Sequence, residues 1–97
     1  MASTVKNFTV YYLTLTSANT EYSQAISAQR CFVRVHSGDL TSSAKISFTV
    51  SGSSTGETIF QGAEWFSPAP FAVGDKTVYL QSPNAGSVFQ IIVFEID

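Results

Sequence analysis

Hydrophobic residues recur at every second position along most of this chain, a period that admits β-strands and little else. Phe8, Val10 and Tyr12 alternate with Thr9, Tyr11 and Leu13. Cys31, Val33 and Val35 alternate with Phe32, Arg34 and His36, and Ala44, Ile46, Phe48 and Val50 oppose Lys45, Ser47 and Thr49. Tyr22, Gln24 and Ile26 repeat the pattern, as do Val78 and Leu80 between Thr77, Tyr79 and Gln81. These runs are rich in β-branched and aromatic side chains, which suit a pleated, half-buried surface. Turn formers separate them: Ser17-Ala18-Asn19, Ser37-Gly38-Asp39, Ser51 to Gly56, Gln61-Gly62, Gly74-Asp75 and Pro83 to Gly86. Glycine supplies positive φ at such places, and Asn, Asp and Ser bond their own backbone. No window of ten residues carries the helical spacing; Ala25–Arg30 comes nearest and is too short.

About eight strands are therefore expected, near 7–15, 20–26, 30–36, 43–51, 57–61, 63–67, 76–82 and 87–96. Their spacing of roughly 8–12 residues predicts one all-β domain, a single antiparallel β-sandwich. A jelly-roll-like sandwich is the expected form, with an immunoglobulin-like sandwich as the alternative. With 97 residues there is room for one core only. Residues 7–97 form that domain, and Met1–Lys6, which show no alternation, form an N-terminal arm.

Charge narrows the function. Only 12% of residues are charged, against about 25% in an ordinary domain, and the formal net charge is −2. Polarity comes instead from 14 Ser and 10 Thr. Lys6, Arg30, Arg34, Lys45 and Lys76 are scattered, whereas a nucleic-acid binder clusters its cations to release counterions. The strongest apolar run, Ile91–Phe94, falls far short of the ~20 residues that span a bilayer. The start, MASTVKNF, lacks the basic flank and apolar run of a signal peptide, so folding in a reducing cytoplasm is expected. That expectation leaves Asn7-Phe8-Thr9 as an unused glycosylation triplet and Cys31, the single cysteine, as a free thiol packed like a small hydrophobe. A small domain that is 44% hydrophobic cannot hide every apolar side chain, so some are expected to face a partner.

No catalytic, cofactor or metal site emerges. His36, the only histidine, has Asp39 across a turn and no nucleophile-elbow serine. One His and one Cys on opposite strand faces cannot converge on a metal. Glu57 and Glu64 are read as solvated residues rather than an acid–base pair, because a sandwich of this size has little room for an aromatic-lined cleft. The chain is thus expected not to be an enzyme.

Three segments are candidate interfaces. Trp65, Phe66, Pro68, Pro70 and Phe71 make a stiff apolar connection that either plugs the core or meets another molecule. The last strand is apolar on both faces. Ile92 and Phe94 are assigned to a core with Ile46, Phe48, Val50, Val78 and Leu80. Phe89, Ile91 and Val93 are then either covered as the second side of a central strand or placed in an intermolecular contact. Ala2, Ser3, Thr4 and Val5 suit main-chain pairing with a neighbour's sheet edge, which tolerates a bland sequence.

The segments LTLTSANTEYSQAI (Leu13–Ile26), KISFTVSG (Lys45–Gly52), Trp65-Phe66 and GDKTVYLQSPNAGSVFQIIVFE (Gly74–Glu95) together cover about half of the chain. In their order they resemble small β-sandwich virion proteins of tailed bacteriophages, of the capsid decoration (cement) and head-fibre kind. Ala28-Gln29 departs from the Gly-containing turn of that pattern. The resemblance implies a non-enzymatic structural protein of the virion that binds the outside of the head and stabilises the shell. It also implies a homo-oligomer, often a trimer, partnered by the major capsid protein or another virion protein. The alternative is a carbohydrate- or receptor-binding module of a fibre, spike or tail, using Trp65, Tyr79, Tyr11 and Tyr12.

Overall fold

The computed structural model describes residues 5–26, 30–37, 42–48, 52, 56–60, 62–67 and 76–96. Eight strands run through them: β1 (Val5–Leu15), β2 (Tyr22–Ile26), β3 (Cys31–Ser37), β4 (Ala44–Ser47), β5 (Glu57–Ile59), β6 (Glu64–Phe66), β7 (Lys76–Gln81) and β8 (Ser87–Ile96). They form two four-stranded antiparallel sheets, ordered β1-β8-β3-β6 and β2-β7-β4-β5, packed as a β-sandwich. The pairings nest: first strand with last, second with seventh, third with sixth and fourth with fifth.

Alternation decides what is buried. In β3, Cys31, Val33, Val35 and Ser37 point inward while Phe32, Arg34 and His36 are half-buried on the other face. Leu15, Ile26, Ala44, Ile46, Ile59, Val78 and Leu80 join them from the remaining strands, with Tyr11, Leu13, Tyr22, Phe48 and Trp65 packed at the margin. In β8, Ser87, Phe89, Ile91 and Val93 are buried on one face, the three apolar ones at 0%, 0% and 5% exposure, and Ile96 is buried at the strand's end. This reverses the core assignment for the last strand. Ile92 and Phe94 face outward, and Phe89, Ile91 and Val93 are core, not contact. The cause is register. Phe89 stands opposite Leu13 and Ser37, Ile91 opposite Tyr11 and Val35, and Val93 opposite Thr9 and Val33. Cross-strand partners share a face, so the inward side of β3 fixes that of β8. Phe48 lies just beyond β4 at the core margin, and Val50 lies outside the described residues.

Turns are locked by hydroxyls. Asn19 takes φ 55° in the β1–β2 connection, where the Tyr22 hydroxyl accepts the Ser17 N–H at 2.9 Å. The Ser17 side chain and N–H together hold the Tyr22 phenol below its ordinary pKa. Between β7 and β8, the buried Ser82 hydroxyl donates to the Ser43 carbonyl at 2.6 Å and accepts the Asn84 N–H at 3.0 Å. Ser87 Oγ lies 2.6 Å from the Asn84 carbonyl and 3.0 Å from Ser42 Oγ. Among the described residues no buried side-chain polar atom lacks a partner.

Candidate interaction surface

The two outward faces of the sandwich differ in chemistry. On the β2-β7-β4-β5 sheet the outward residues are Ser23, Ala25, Thr77, Tyr79, Gln81, Lys45, Ser47 and Thr58, which is the polar exterior that an antiparallel sheet usually shows to water. On the β1-β8-β3-β6 sheet the outward residues fall into cross-strand rows. Phe8, Phe94 and Phe32 make the first; Val10, Ile92, Arg34 and Phe66 the second; Tyr12, Gln90, His36 and Glu64 the third. The first two rows hold a single polar side chain, Arg34.

The rings of this face touch one another. Phe8 and Phe94 have centroids 6.3 Å apart, and Phe66 leans toward the first row, 5.8 Å from Phe32 and 6.3 Å from Phe94, stacked on the latter at 20°. Offset and tilted rings at such separations attract beyond simple area burial. Yet Phe8 is 61% exposed, Phe66 51%, Val10 37% and Tyr12 65%. A contiguous apolar patch of this kind marks a contact site more often than scattered exposed hydrophobes do. Its polar end is fixed by Arg34, whose Nη2 lies 2.6 Å and Nε 2.7 Å from Glu64 Oε2. Gln90 Nε2 reaches the Tyr12 hydroxyl at 3.4 Å.

The candidate residues divide as follows. The pleat separates Trp65 from Phe66. Trp65 turns inward against Phe48, with ring centroids 5.7 Å apart, and donates from Nε1 to Glu57 Oε1 at 3.1 Å, which links the edge strands β6 and β5 of the two sheets. Phe66 stands on the exposed aromatic face. Pro68, Pro70 and Phe71, like Ala2, Ser3 and Thr4, lie outside the described residues. Val5 opens β1, its backbone paired with Ile96 of the same chain, so the sheet begins two residues earlier than expected.

The alternation alone did not bring Phe8, Val10, Phe32, Ile92 and Phe94 together as one surface, and it placed Ile92 and Phe94 in the core. The available signal was that β1, like β8, is apolar on both faces. Phe8, Val10 and Tyr12 alternate with Tyr11, Leu13 and Leu15, and two such strands placed side by side make a patch.

The titratable groups stay apart. Glu57 and Glu64 lie on different sheets, each with its own partner, Trp65 and Arg34. His36 Nδ1 is 3.1 Å from the Ser37 carbonyl, a donor's position. Cys31 is buried, and burial, with Glu95 nearby, raises its thiol pKa. Among the described residues there is no pocket, no group of metal-ligating side chains, and no helix long and apolar enough to cross a membrane. Comparison with family models, with curated proteins and with solved structures finds no match to this chain.

Proposed function

We propose that the chain is a non-enzymatic structural protein of a bacteriophage virion, a capsid decoration or cement protein that binds the outside of the head and stabilises the shell. The observation that carries this reading is the aromatic outer face of the β1-β8-β3-β6 sheet, set against the polar face of the other sheet. A protein that stabilises a lattice needs a broad contact with few charges rather than a cleft. The low charge fraction and the resemblance of Leu13–Ile26 and Gly74–Glu95 to virion sandwiches point the same way. The sandwich is of jelly-roll type in this reading, supported by the nested order β1-β8-β3-β6 and β2-β7-β4-β5. Its partners are copies of itself and the major capsid protein or another protein of the shell.

The test is binding to empty shells assembled from the major capsid protein of the same virion. Wild-type protein is expected to saturate a fixed number of sites and to raise the shell's melting temperature. F66D and F8D put a charge into the patch and weaken binding by at least about tenfold, which corresponds to ~1.4 kcal/mol. Absence of saturable binding rejects the reading.

One observation favours a second reading, a carbohydrate-binding module: exposed Tyr12 carries a planar amide, Gln90, at its hydroxyl. A glycan array separates the two, because a cement protein leaves it blank while still binding shells.

A further inference from the structure

Among the described residues the sandwich has four edge strands, and three are short: β6 and β5 have three residues each and β2 has five. The fourth, β1, has eleven. Proteins guard exposed edges with brevity, charge, proline or bulges, because an unpaired ladder recruits another strand. From Asn7 to Leu15 there is no charged residue, no proline and no glycine. The one register shift lies at the start, between Val5 and Asn7.

Three hydrogen bonds show which groups of β1 face outward. The Ile96 N–H reaches the Arg30 carbonyl at 2.9 Å, so even-numbered residues of β8 bond toward β3. The Ser67 N–H reaches the Val33 carbonyl at 2.9 Å, so odd-numbered residues of β3 bond toward β6, in agreement. Odd-numbered residues of β8 therefore bond to β1, at Asn7, Thr9, Tyr11 and Leu13, since N–H and C=O of one residue point to the same side of a strand. The Gly86 N–H on the Leu15 carbonyl, at 2.8 Å, fits the same phase. Phe8, Val10, Tyr12 and Thr14 are left with outward N–H and C=O groups that have no partner among the described residues. Three of these four also carry the exposed side chains of the aromatic face.

We propose that this edge pairs with the same edge of a second copy, antiparallel about a two-fold axis at Val10. Each bonded pair then exchanges two main-chain hydrogen bonds. Phe8 of each copy stands opposite Tyr12 of the other, Val10 opposite Val10, and no like charges meet across the axis. Such aromatic cross-strand pairs add to the ladder. The two sheets fuse into one of eight strands, and the aromatic rows run on across the joint. A segment of another protein would need to match both the length and the uncharged alternation of β1, whereas a second copy does so by symmetry. Isologous pairing closes at two, so the geometry points to a dimer where the resemblance implies a trimer. The inference does not rest on the virion reading.

Sedimentation at micromolar concentration tests it. Wild-type protein is expected at twice the 10.5 kDa chain mass. V10K sets two like charges side by side on the axis and gives a monomer, while F66K, on the far edge of the same sheet, leaves the dimer intact. A wild-type monomer or trimer overturns the proposal, as does a dimer that survives V10K or dissolves only with F66K. Should V10K fail to fold, amide exchange on wild-type protein decides. The N–H groups of Phe8, Val10, Tyr12 and Thr14 are expected to exchange as slowly as those of Thr9, Tyr11 and Leu13, and to speed up on dilution. Fast exchange at every concentration overturns it.

Discussion

Two phenylalanines five residues apart on β8 differ in what their removal does. Phe89 is fully buried, and F89A leaves a cavity that the two sheets cannot close, at a cost of about 3–5 kcal/mol. Phe94 sits half-buried among the outer rings, where F94A opens space to water rather than a void, and costs about 1 kcal/mol. Urea titration of the two variants checks the pair, and equal losses would mean that the strand's faces are assigned wrongly. Cys31 links pH to stability at the same scale. Burial first, and Glu95 second, raise its thiol pKa. Above the ordinary thiol value of ~8.5 the unfolded chain loses this proton while the folded chain keeps it. Its contribution is therefore complete below ~8.5 and is lost as pH climbs toward the raised folded value. Wild-type protein is expected to lose urea resistance over that alkaline range, and C31A to lose less of it over the same pH steps.

Individual elements show why some of this was legible in the sequence and some was not. All eight strands were, because most carry the two-residue period and the rest are short apolar or aromatic runs bounded by turn chemistry. The inward face of β3 was legible too, since Arg34 and His36 label its other side. β8 carried no such label. Apolar residues on both faces leave the choice to the neighbouring strands, and their register is not written within β8 itself. The aromatic surface stayed hidden for the same reason, as its rows exist only once four strands are aligned. Gly56 is a subtler case. Its place at the end of a Ser- and Gly-rich stretch suggests only a turn, yet it passes close to β4, and a Cβ there would collide with the Ile46 carbonyl oxygen. That atom is backbone and cannot rotate away. G56A is therefore expected to cost roughly 1–3 kcal/mol through forced displacement of the β4–β5 pair. A melting temperature within experimental error of wild type would show that this hairpin shifts freely.

For the molecule as a whole, the nested order makes the first strand depend on the last. β1 pairs with β8 along almost its full length, from Leu15 opposite Ser87 to Val5 opposite Ile96, so the chain ends close the sheet together. Among the described residues the sheet begins at Val5, and truncation on either side of it separates stability from the shell attachment proposed above. Deleting Met1–Thr4 removes no residue paired within the described sandwich. The melting temperature of the isolated domain is expected to stay nearly unchanged. Deleting Met1–Phe8 also removes the pairings of Val5, Asn7 and Phe8 with Ile96, Glu95 and Phe94, together with one ring of the aromatic row. Each lost main-chain bond contributes ~1 kcal/mol, and ~1 kcal/mol shifts the melting temperature of a domain this size by ~4–8 °C, so the longer deletion is expected to melt many degrees lower. The proposed shell binding runs on a separate axis. If Ala2, Ser3 and Thr4 lie along a neighbour's sheet edge in the particle, the shorter deletion weakens attachment while sparing stability. Ordering an arm costs ~1–2 kcal/mol per residue, so the loss in affinity is modest and is best read from dissociation rate rather than from occupancy. A shorter deletion that melts the domain as far as the longer one would place those residues inside the fold and end the arm hypothesis.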